Sequence, residues 1–341
     1  MPRNISDSVI VITGASSGIG RATALEVAKQ QGTVILASRQ EEALRDLAEV
    51  CEEMGGRALA VRTDVTDEKQ VQELARRTVE TFGRIDAWVN NAAVTLYSKF
   101  EDAPPDAFRR VIETNLFGCI HGSRAALPYF RHQGHGVLVN ISSVFSKVGA
   151  PYVTAYTASK FAITGFSESL RTELRNEPDI HVCTILPATI DTPIFQHAAN
   201  YTGRFLQALP PVYQPGQVAE AILNCITNPQ REVMVGRAAK QMVLLRKLST
   251  PLAERFVARK VERQHFLDKP SNPSPGNVFE PMSEYNTVNG GWTETDHKGR
   301  KVLATIATLL LAGAGVGYYA YRKQKRSPLA RARRKLEEAI A

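Results

Sequence analysis

The sequence lacks the patterns that mark metalloproteins and disulfide-bonded domains. Its 341 residues include only four cysteines and seven histidines, and neither set has the spacing of metal ligands. We therefore predict no metal site. The cysteines are widely dispersed in segments expected to be buried, so we predict reduced thiols in the core: Cys51, Cys119, Cys183 and Cys225.

Three further absences narrow the class of protein. No internal repeat is visible, and no signal peptide opens the chain. No recognition motif for nucleic acid accompanies the formal net charge of +8. Residues 322–341 hold eight basic and two acidic side chains, which account for most of the excess. Such a cluster attracts anionic lipid, and we expect no nucleic-acid partner.

Short apolar runs that suit buried strands alternate with helical patterns. This alternation predicts an α/β fold, a doubly wound parallel sheet of the Rossmann type with helices on both faces. Gly14, Asn90, Ser143 and Pro187 fall at the carboxyl ends of strands, where such folds bind nucleotides. The predicted strands are 9–13, 33–38, 58–62, 87–90, 137–141 and 182–186, and the predicted helices are 21–31, 67–82, 106–130 and 155–175.

A glycine-rich turn follows the first predicted strand. Gly14, Gly18 and Gly20 separate it from a segment with helical periodicity. Glycines allow a tight turn and a close backbone approach, and the N-terminus of the next helix offers free N–H groups to a pyrophosphate. A simple strand-to-helix turn usually needs one glycine. The three glycines therefore predict a dinucleotide site.

Tyr156 and Lys160 stand four residues apart in a predicted helix, so their side chains share one face. A cation close to a phenol favours the ionised form and lowers its pKa. The pair predicts a tyrosine that transfers protons near neutral pH, although the same spacing also occurs on ordinary helices.

Several motifs together resemble those of the classical short-chain dehydrogenase/reductase family, over about residues 5–240. They are Thr13-Gly-Ala-Ser-Ser-Gly-Ile-Gly20, Asn90-Asn-Ala-Ala93, Asn115, Ser142-Ser143 and Tyr156-x-x-x-Lys160, in the family's order. Ala93 and Ala188 stand where the family usually has glycine. Both are small, so we expect cofactor binding to be retained.

The resemblance implies a role for each site residue. Tyr156 is the general acid/base, Lys160 lowers its pKa and holds the nicotinamide ribose, Ser143 rather than Ser142 binds the carbonyl oxygen, and Asn115 organises a water. It also implies a homo-oligomer that pairs through the helices of Asn115 and Tyr156. The implied cofactor contacts are Gly14, Ser16, Ser17, Gly18, Ile19, Gly20, Ser38, Arg39, Asp64, Val65, Asn91, Ala92, Tyr156, Lys160, Pro187, Ile190 and Thr192.

The end of the second strand bears on the choice of cofactor. A site for NAD usually has a carboxylate there, whereas an arginine accommodates the 2′-phosphate of NADP. Ser38 occupies the acidic position and Arg39 follows it, which favours NADP(H). The alternative is a solvated Arg39 paired with Glu41 or Glu42.

Two segments near the predicted active site suggest the substrate. Residues 194–213 carry an apolar and aromatic set suited to a mobile lid, or to ordinary packing of a short helix. We expect a hydrophobic secondary alcohol or its ketone. Residues 241–266 mix apolar and basic side chains, so this segment either covers the pocket, lies on anionic lipid or packs as a solvated helix.

An uncharged apolar run followed by a basic tail at the carboxyl terminus predicts a membrane-attached enzyme. We expect a catalytic domain over 1–268, a flexible linker over 269–301, a transmembrane helix over 302–321 and a basic tail over 322–341. The basic tail favours a cytoplasmic C-terminus, whereas the absence of a signal peptide favours a cytoplasmic catalytic domain. We expect a single-pass protein with its catalytic domain in the cytoplasm.

We therefore predict a membrane-tethered NADP(H)-dependent oxidoreductase. One alternative is a membrane adaptor that binds the cofactor without turnover, although the complete Asn, Ser, Tyr and Lys set argues against it. Another is an epimerase or dehydratase of the related extended family, which usually has a different glycine spacing in its cofactor turn.

Overall fold

The computed structural model describes residues 4–293. The predicted transmembrane helix at 302–321 and the basic tail at 322–341 lie outside the described residues. Within 4–293, no helix is both long enough and apolar enough to cross a bilayer.

The described residues form a doubly wound α/β fold, as predicted. Seven parallel strands make one sheet in the order β10-β7-β6-β4-β1-β2-β3, and two small two-stranded pairs, β9 with β11 and β5 with β8, lie apart from it. The strands are β1 Val9–Thr13, β2 Thr33–Ser38, β3 Arg57–Arg62, β4 Ala87–Asn90, β5 Leu96–Tyr97, β6 Gly136–Ile141, β7 Ile180–Pro187, β8 Ala199–Asn200, β9 Arg204–Leu206, β10 Glu232–Val235 and β11 Phe266–Pro270.

Helices cover both faces of the sheet. They are α1 Gly18–Lys29, α2 Glu41–Glu53, α3 Glu68–Phe82, α4 Pro105–Ile112, α5 Gly118–Gln133, α6 Thr154–Glu173, α7 Pro215–Thr227, α8 Arg237–Leu248 and α9 Thr250–Gln264. Strand β1 shows why both faces are apolar. Ile10 and Ile12 join one buried cluster, and Val9 and Val11 join the other. All four side chains are buried, which explains the unbroken apolar run in the sequence.

A buried polar network connects the central strands to α6. The indole Nε1 of Trp88 donates to Asn90 Oδ1 at 2.9 Å, and Asn90 Nδ2 donates to Asn140 Oδ1 at 2.8 Å. Asn140 Nδ2 in turn donates to Ser167 Oγ on α6 at 2.9 Å. Because every member has a partner, the network fixes α6, the helix of Tyr156, against the sheet.

The single helix predicted over 106–130 is interrupted. Residues Glu113–Phe117 form a π-helical turn between α4 and α5, and Asn115 lies within it. Its side chain is buried, accepts from Val94 N at 2.8 Å, and donates to Val94 O and Ser159 Oγ at 3.0 Å each. Such turns are often found at functional sites, and hydrophobic periodicity does not reveal them.

The carboxyl-terminal boundary differs from the prediction. Residues 269–293, expected to be linker, pack on the catalytic domain, and one compact unit extends to Thr293. Strand β11 pairs with β9, and after Pro270 the chain crosses the carboxyl end of the sheet. We call residues 271–293 the strap. All four cysteines are buried and free, as predicted.

The burial of each side chain predicts how much its removal lowers the stability of the protein. Phe130 on α5 is fully buried, so Phe130→Ala should lower the free energy of unfolding by about 3–5 kcal/mol. Phe100 is 67% exposed, and Phe100→Ala should cost no more than about 1 kcal/mol. Urea denaturation of both variants measures the difference, and equal losses would contradict this assignment of the core.

Candidate active site

The glycine turn approaches the neighbouring strand more closely than any side chain would permit. Gly14 and Gly18 have φ values of +66° and +56°, in the left-handed region that glycine tolerates. A Cβ on Gly14 would lie 2.7 Å from Ala92 Cα, and a Cβ on Gly20 would lie 2.2 Å from Gly14 O. Only glycine therefore fits at these positions of the turn, as in the tight turn of a dinucleotide site.

Asn91 and Thr13 connect this turn to the end of β4. The Thr13 hydroxyl accepts from Asn91 N at 3.1 Å and from Ala92 N at 3.2 Å. The side-chain amide of Asn91, through Nδ2, donates to Thr13 O at 2.9 Å and to Gly14 O at 3.0 Å. Asn91 thus supports the cofactor turn, a structural role beyond the direct cofactor contact expected from the sequence.

Tyr156, Ser143 and Lys160 converge at the end of β6. Ser143 lies close enough to the phenol of Tyr156 to act on its pKa, and both side chains line the same cavity. Ser142 points elsewhere, because its hydroxyl donates to Lys160 O at 3.0 Å and lies 3.1 Å from Thr164 Oγ1. The structure therefore brings Ser143, the serine favoured from the sequence, to the phenol.

The structure does not show the expected lowering of the Tyr156 pKa by Lys160. Burial raises the pKa of Tyr156 to about 12, against a smaller lowering by the neighbouring Ser143. Burial also lowers the pKa of Lys160 to about 8. Lys160 Nζ donates to Ile141 O at 2.8 Å and lies 5.3 Å from the centre of the Tyr156 ring. The ammonium is thus directed to a carbonyl, and desolvation decides both pKa values.

The end of β2 presents a cationic side chain, as expected, but Arg39 has partners that the sequence did not indicate. Its guanidinium donates to Phe279 O at 2.8 Å and to Asn277 O at 2.6 Å, both in the strap. Neither Glu41 nor Glu42 pairs with it; Glu41 pairs with Arg45. Ser38 lies beside it and is buried.

Asp64 and Val65 follow β3 and line the same cavity. Arg110 Nη2 donates to Asp64 Oδ2 at 2.8 Å, and Thr66 donates to Asp64 Oδ1 from its amide and its hydroxyl. Burial acts to raise the pKa of Asp64, but these hydrogen bonds and the charge of Arg110 hold that pKa below its usual value.

Asp191 anchors the strap above the cavity. Its Oδ1 accepts from Trp292 N at 2.7 Å and from Gly290 N at 3.1 Å. Its Oδ2 accepts from Thr293 Oγ1 at 3.0 Å and from Asn289 Nδ2 at 3.1 Å. Although burial acts to raise the pKa of this carboxyl, the four hydrogen bonds keep it lowered. A carboxylate with this many donors holds a segment firmly.

The strap also contacts the cofactor turn itself. Gly18 N donates to Thr287 O at 2.8 Å, so one amide at the start of α1 already has a backbone acceptor. Thr192, one of the implied cofactor contacts, accepts from Trp292 Nε1 through its carbonyl at 3.1 Å. The strap therefore lies along the nucleotide cleft from Arg39 to Thr192.

A cavity of about 270 Å³ joins these residues into one site. One end carries the predicted cofactor residues, including Ser16, Ser17, Ile19, Pro187 and Ile190, and the middle carries Ser143, Tyr156 and Lys160. Asn115 and Gly20 lie behind this surface and support it. In residues 4–293, no group of three side chains is arranged to hold a metal ion.

The other end of the cavity is mostly apolar, although Lys260 of α9 also lines it. Phe195 and Leu209 line it from the segment predicted as a lid, and Met242 and Val257 line it from α8 and α9. Residues 241–266 therefore cover the pocket, one of the three alternatives for that segment. Sequence reasoning missed Asp191, His265 and the strap residues, since their contacts depend on tertiary packing. A carboxylate between Ile190 and Thr192 was the one available signal.

The fold and this geometry define a dinucleotide-binding α/β protein with a tyrosine, a lysine and a serine at the carboxyl edge of its sheet. Comparison with known proteins agrees. The sequence model of the short chain dehydrogenase family matches residues 8–201. The oxidoreductase YxnA of Bacillus subtilis is 35% identical over 333 residues, which covers 95% of this chain and 92% of that protein.

Two other similar proteins are dehydrogenases. The 11-beta-hydroxysteroid dehydrogenase 1A of Arabidopsis thaliana is 34% identical over 242 residues, or 67% of this chain and 68% of that protein. An alcohol dehydrogenase from the archaeon Thermococcus sibiricus, solved in complex with 5-hydroxy-NADP, has a TM-score of 0.59 and 27% identity, covering 67% of this chain and 95% of that one. The chain belongs to the short-chain dehydrogenase family. It is an oxidoreductase acting on CH–OH groups with a nicotinamide dinucleotide.

Two glycines of the strap provide a matched test of its attachment. Gly276 and Gly291 both have positive φ, so alanine strains the backbone at either position. Only at Gly276 would the new Cβ also clash, 2.3 Å from His197 O; nothing lies within 4 Å of that position at Gly291. Gly276→Ala should therefore loosen the strap more than Gly291→Ala.

Hydrogen exchange measures this difference. Amides of residues 277–290 should exchange at least about tenfold faster in Gly276→Ala than in Gly291→Ala, since about 1.4 kcal/mol of local stability corresponds to a factor of ten. Equal protection in the two variants would show that the strap does not depend on this contact.

Proposed function

We propose that this protein interconverts a hydrophobic secondary alcohol and its ketone, using NADP(H), with Tyr156 as the general acid and base. The observation that carries the proposal is the placement of Ser143, Tyr156 and Lys160 together in the lining of a cavity that also carries nucleotide-binding residues and apolar side chains. When bound, the cofactor supplies the hydride. The chain's own residues position the substrate oxygen and move its proton.

The raised pKa of Tyr156 suits the reductive direction. A neutral phenol at physiological pH holds a proton that it can donate to the ketone oxygen. Ser143 can donate a hydrogen bond to the same oxygen, where negative charge develops. Oxidation requires the phenol to lose its proton first.

Arg39 is the basis for preferring NADP(H). Its guanidinium stands at the end of β2 with no carboxylate at position 38, and a planar arginine suits bidentate binding of a 2′-phosphate. In the strap, Nη1 donates to Phe279 O at 2.8 Å and to Val278 O at 3.5 Å, and Nη2 donates to Asn277 O at 2.6 Å, which uses three of the five N–H donors of the guanidinium. The remaining donors are available to the phosphate, so Arg39 can hold the cofactor and the strap together.

The tyrosine provides the first test. Tyr156→Phe removes the hydroxyl and should reduce turnover of a hydrophobic ketone by about 10²–10⁴-fold, the usual contribution of a positioned proton donor. NADPH should still bind, as measured by its fluorescence. Tyr129→Phe on α5, outside the cavity, is the matched control and should retain activity. Substantial turnover by Tyr156→Phe would refute the proposed role.

The arginine provides the second test. Arg39→Ala should raise the dissociation constant for NADPH by about tenfold or more, because the 2′-phosphate loses a charged partner, and should change that for NADH much less. Arg77→Ala removes the same charge from an exposed position on α3 and serves as the control. Calorimetric titration with both cofactors measures these constants; a parallel loss for NADPH and NADH would argue against a phosphate contact.

Membrane attachment, location and assembly are further parts of the proposal. The uncharged run at 302–321 supports a single membrane span. We place the catalytic domain in the cytoplasm, where its cofactor is found, although the basic residues at 322–341 by themselves favour a cytoplasmic C-terminus. A hydrophobic substrate would be concentrated at such a surface. We also propose a homo-oligomer, on the family resemblance alone.

A further inference from the structure

The apolar end of the cavity contains one buried polar ring. His265, between α9 and β11, lines the cavity and is only 4% exposed. Three aromatic side chains surround it: Tyr97 with ring centroids 4.9 Å apart, Phe195 at 5.6 Å and Phe266 at 5.7 Å. A polar group in such surroundings needs a hydrogen-bonding partner or loses stability.

Gln207 fixes the ring from behind. The backbone amide of Gln207 donates to His265 O at 3.0 Å, and the amide of His265 donates to Val261 O at 3.0 Å. The ring Nδ1 hydrogen-bonds to Gln207 O. Since a carbonyl oxygen can only accept, Nδ1 carries the proton. The orientation of the ring therefore does not depend on a ligand.

These contacts determine whether Nε2, the other ring nitrogen of His265, donates or accepts a hydrogen bond. Burial lowers the pKa of His265 to about 4, so the ring is neutral at physiological pH. In a neutral ring with Nδ1 protonated, Nε2 is an acceptor only. Among residues 4–293, the hydrogen bonds of this ring are limited to the one at Nδ1. Nε2 is thus an unused acceptor in the wall of the cavity.

Tyr97 relates this acceptor to the reacting centre. Its ring packs edge-on against His265, and its phenol is close enough to Tyr156 for the two to interact electrostatically. The ring of Tyr97 therefore lies between His265 and the catalytic phenol of Tyr156. A substrate that reaches from Tyr156 to His265 must be longer than a small ketone.

We propose that His265 Nε2 accepts a hydrogen bond from a second hydroxyl of the substrate, remote from the carbon that reacts. The substrate class is then a ketone or alcohol with an extended apolar body and a hydroxyl toward its far end. This inference rests on the proposed function and specifies its substrate. Apolar walls supply affinity, and the single acceptor selects among substrates of similar shape.

Paired substrates test this selection. The probes are bicyclic decalones, each compared with derivatives that differ only by one ring hydroxyl at a position away from the carbonyl. With NADPH, the wild-type enzyme should reduce the best hydroxylated ketone with kcat/KM about tenfold above its parent, the effect of one neutral hydrogen bond in a buried site. The ratio within a pair cancels changes that affect both substrates.

Two variants assign the preference to the histidine. His265→Phe keeps a ring but removes the acceptor, and the ratio should fall to about one. His265→Gln provides an amide oxygen and should restore part of the ratio. A merely structural role would lower kcat/KM for both members of a pair by the same factor and leave the ratio unchanged.

The outcomes separate this inference from the proposed function. If the wild type reduces the decalones but shows no preference for any hydroxylated one, the His265 proposal is overturned, whatever the variants do. A preference that persists in His265→Phe also overturns it. If no ketone is reduced while NADPH binds, the proposed function fails first, and the inference that depends on it fails with it.

Discussion

The Thr13 hydroxyl accepts hydrogen bonds from two backbone amides just after β4. In the opposite direction, the side-chain amide of Asn91 donates two hydrogen bonds to carbonyls of the glycine turn. This exchange places the start of α1 directly beside the next strand of the sheet. Gly14 is required because the backbones then approach too closely for a Cβ. The glycine turn at the predicted dinucleotide cleft depends on this contact.

Burial controls the chemistry of the site more than charge does. Tyr156 and Lys160 are both desolvated, so each is displaced toward its neutral form, and their proximity does not reverse that. His265 follows the same rule, and its neutral state turns a potential cation into an acceptor. Desolvation thus makes Tyr156 a proton donor and His265 a hydrogen-bond acceptor, and it brings the ammonium of Lys160 close to losing its charge.

Six of the seven strands of the sheet could be predicted, because periodicity and turn residues mark them, whereas β10 was missed. The convergence of Ser143, Tyr156 and Lys160 was expected from the family resemblance. The π-helical turn around Asn115 could not be predicted, since one extra residue per turn leaves the apolar pattern nearly intact. The strap escaped prediction for a different reason. Its proline, asparagine and glycine residues look like a linker, and many of its contacts use main-chain atoms.

Main-chain recognition of the strap has a practical consequence. Arg39 bonds to the carbonyls of Asn277 and Phe279, and these oxygens are present whatever side chains the two positions carry. Substitutions at positions 277 and 279 therefore leave the acceptors for Arg39 in place. The side chain of Phe279 is 37% exposed, so an environment-sensitive dye could be attached there and would report on nucleotide occupancy beneath it.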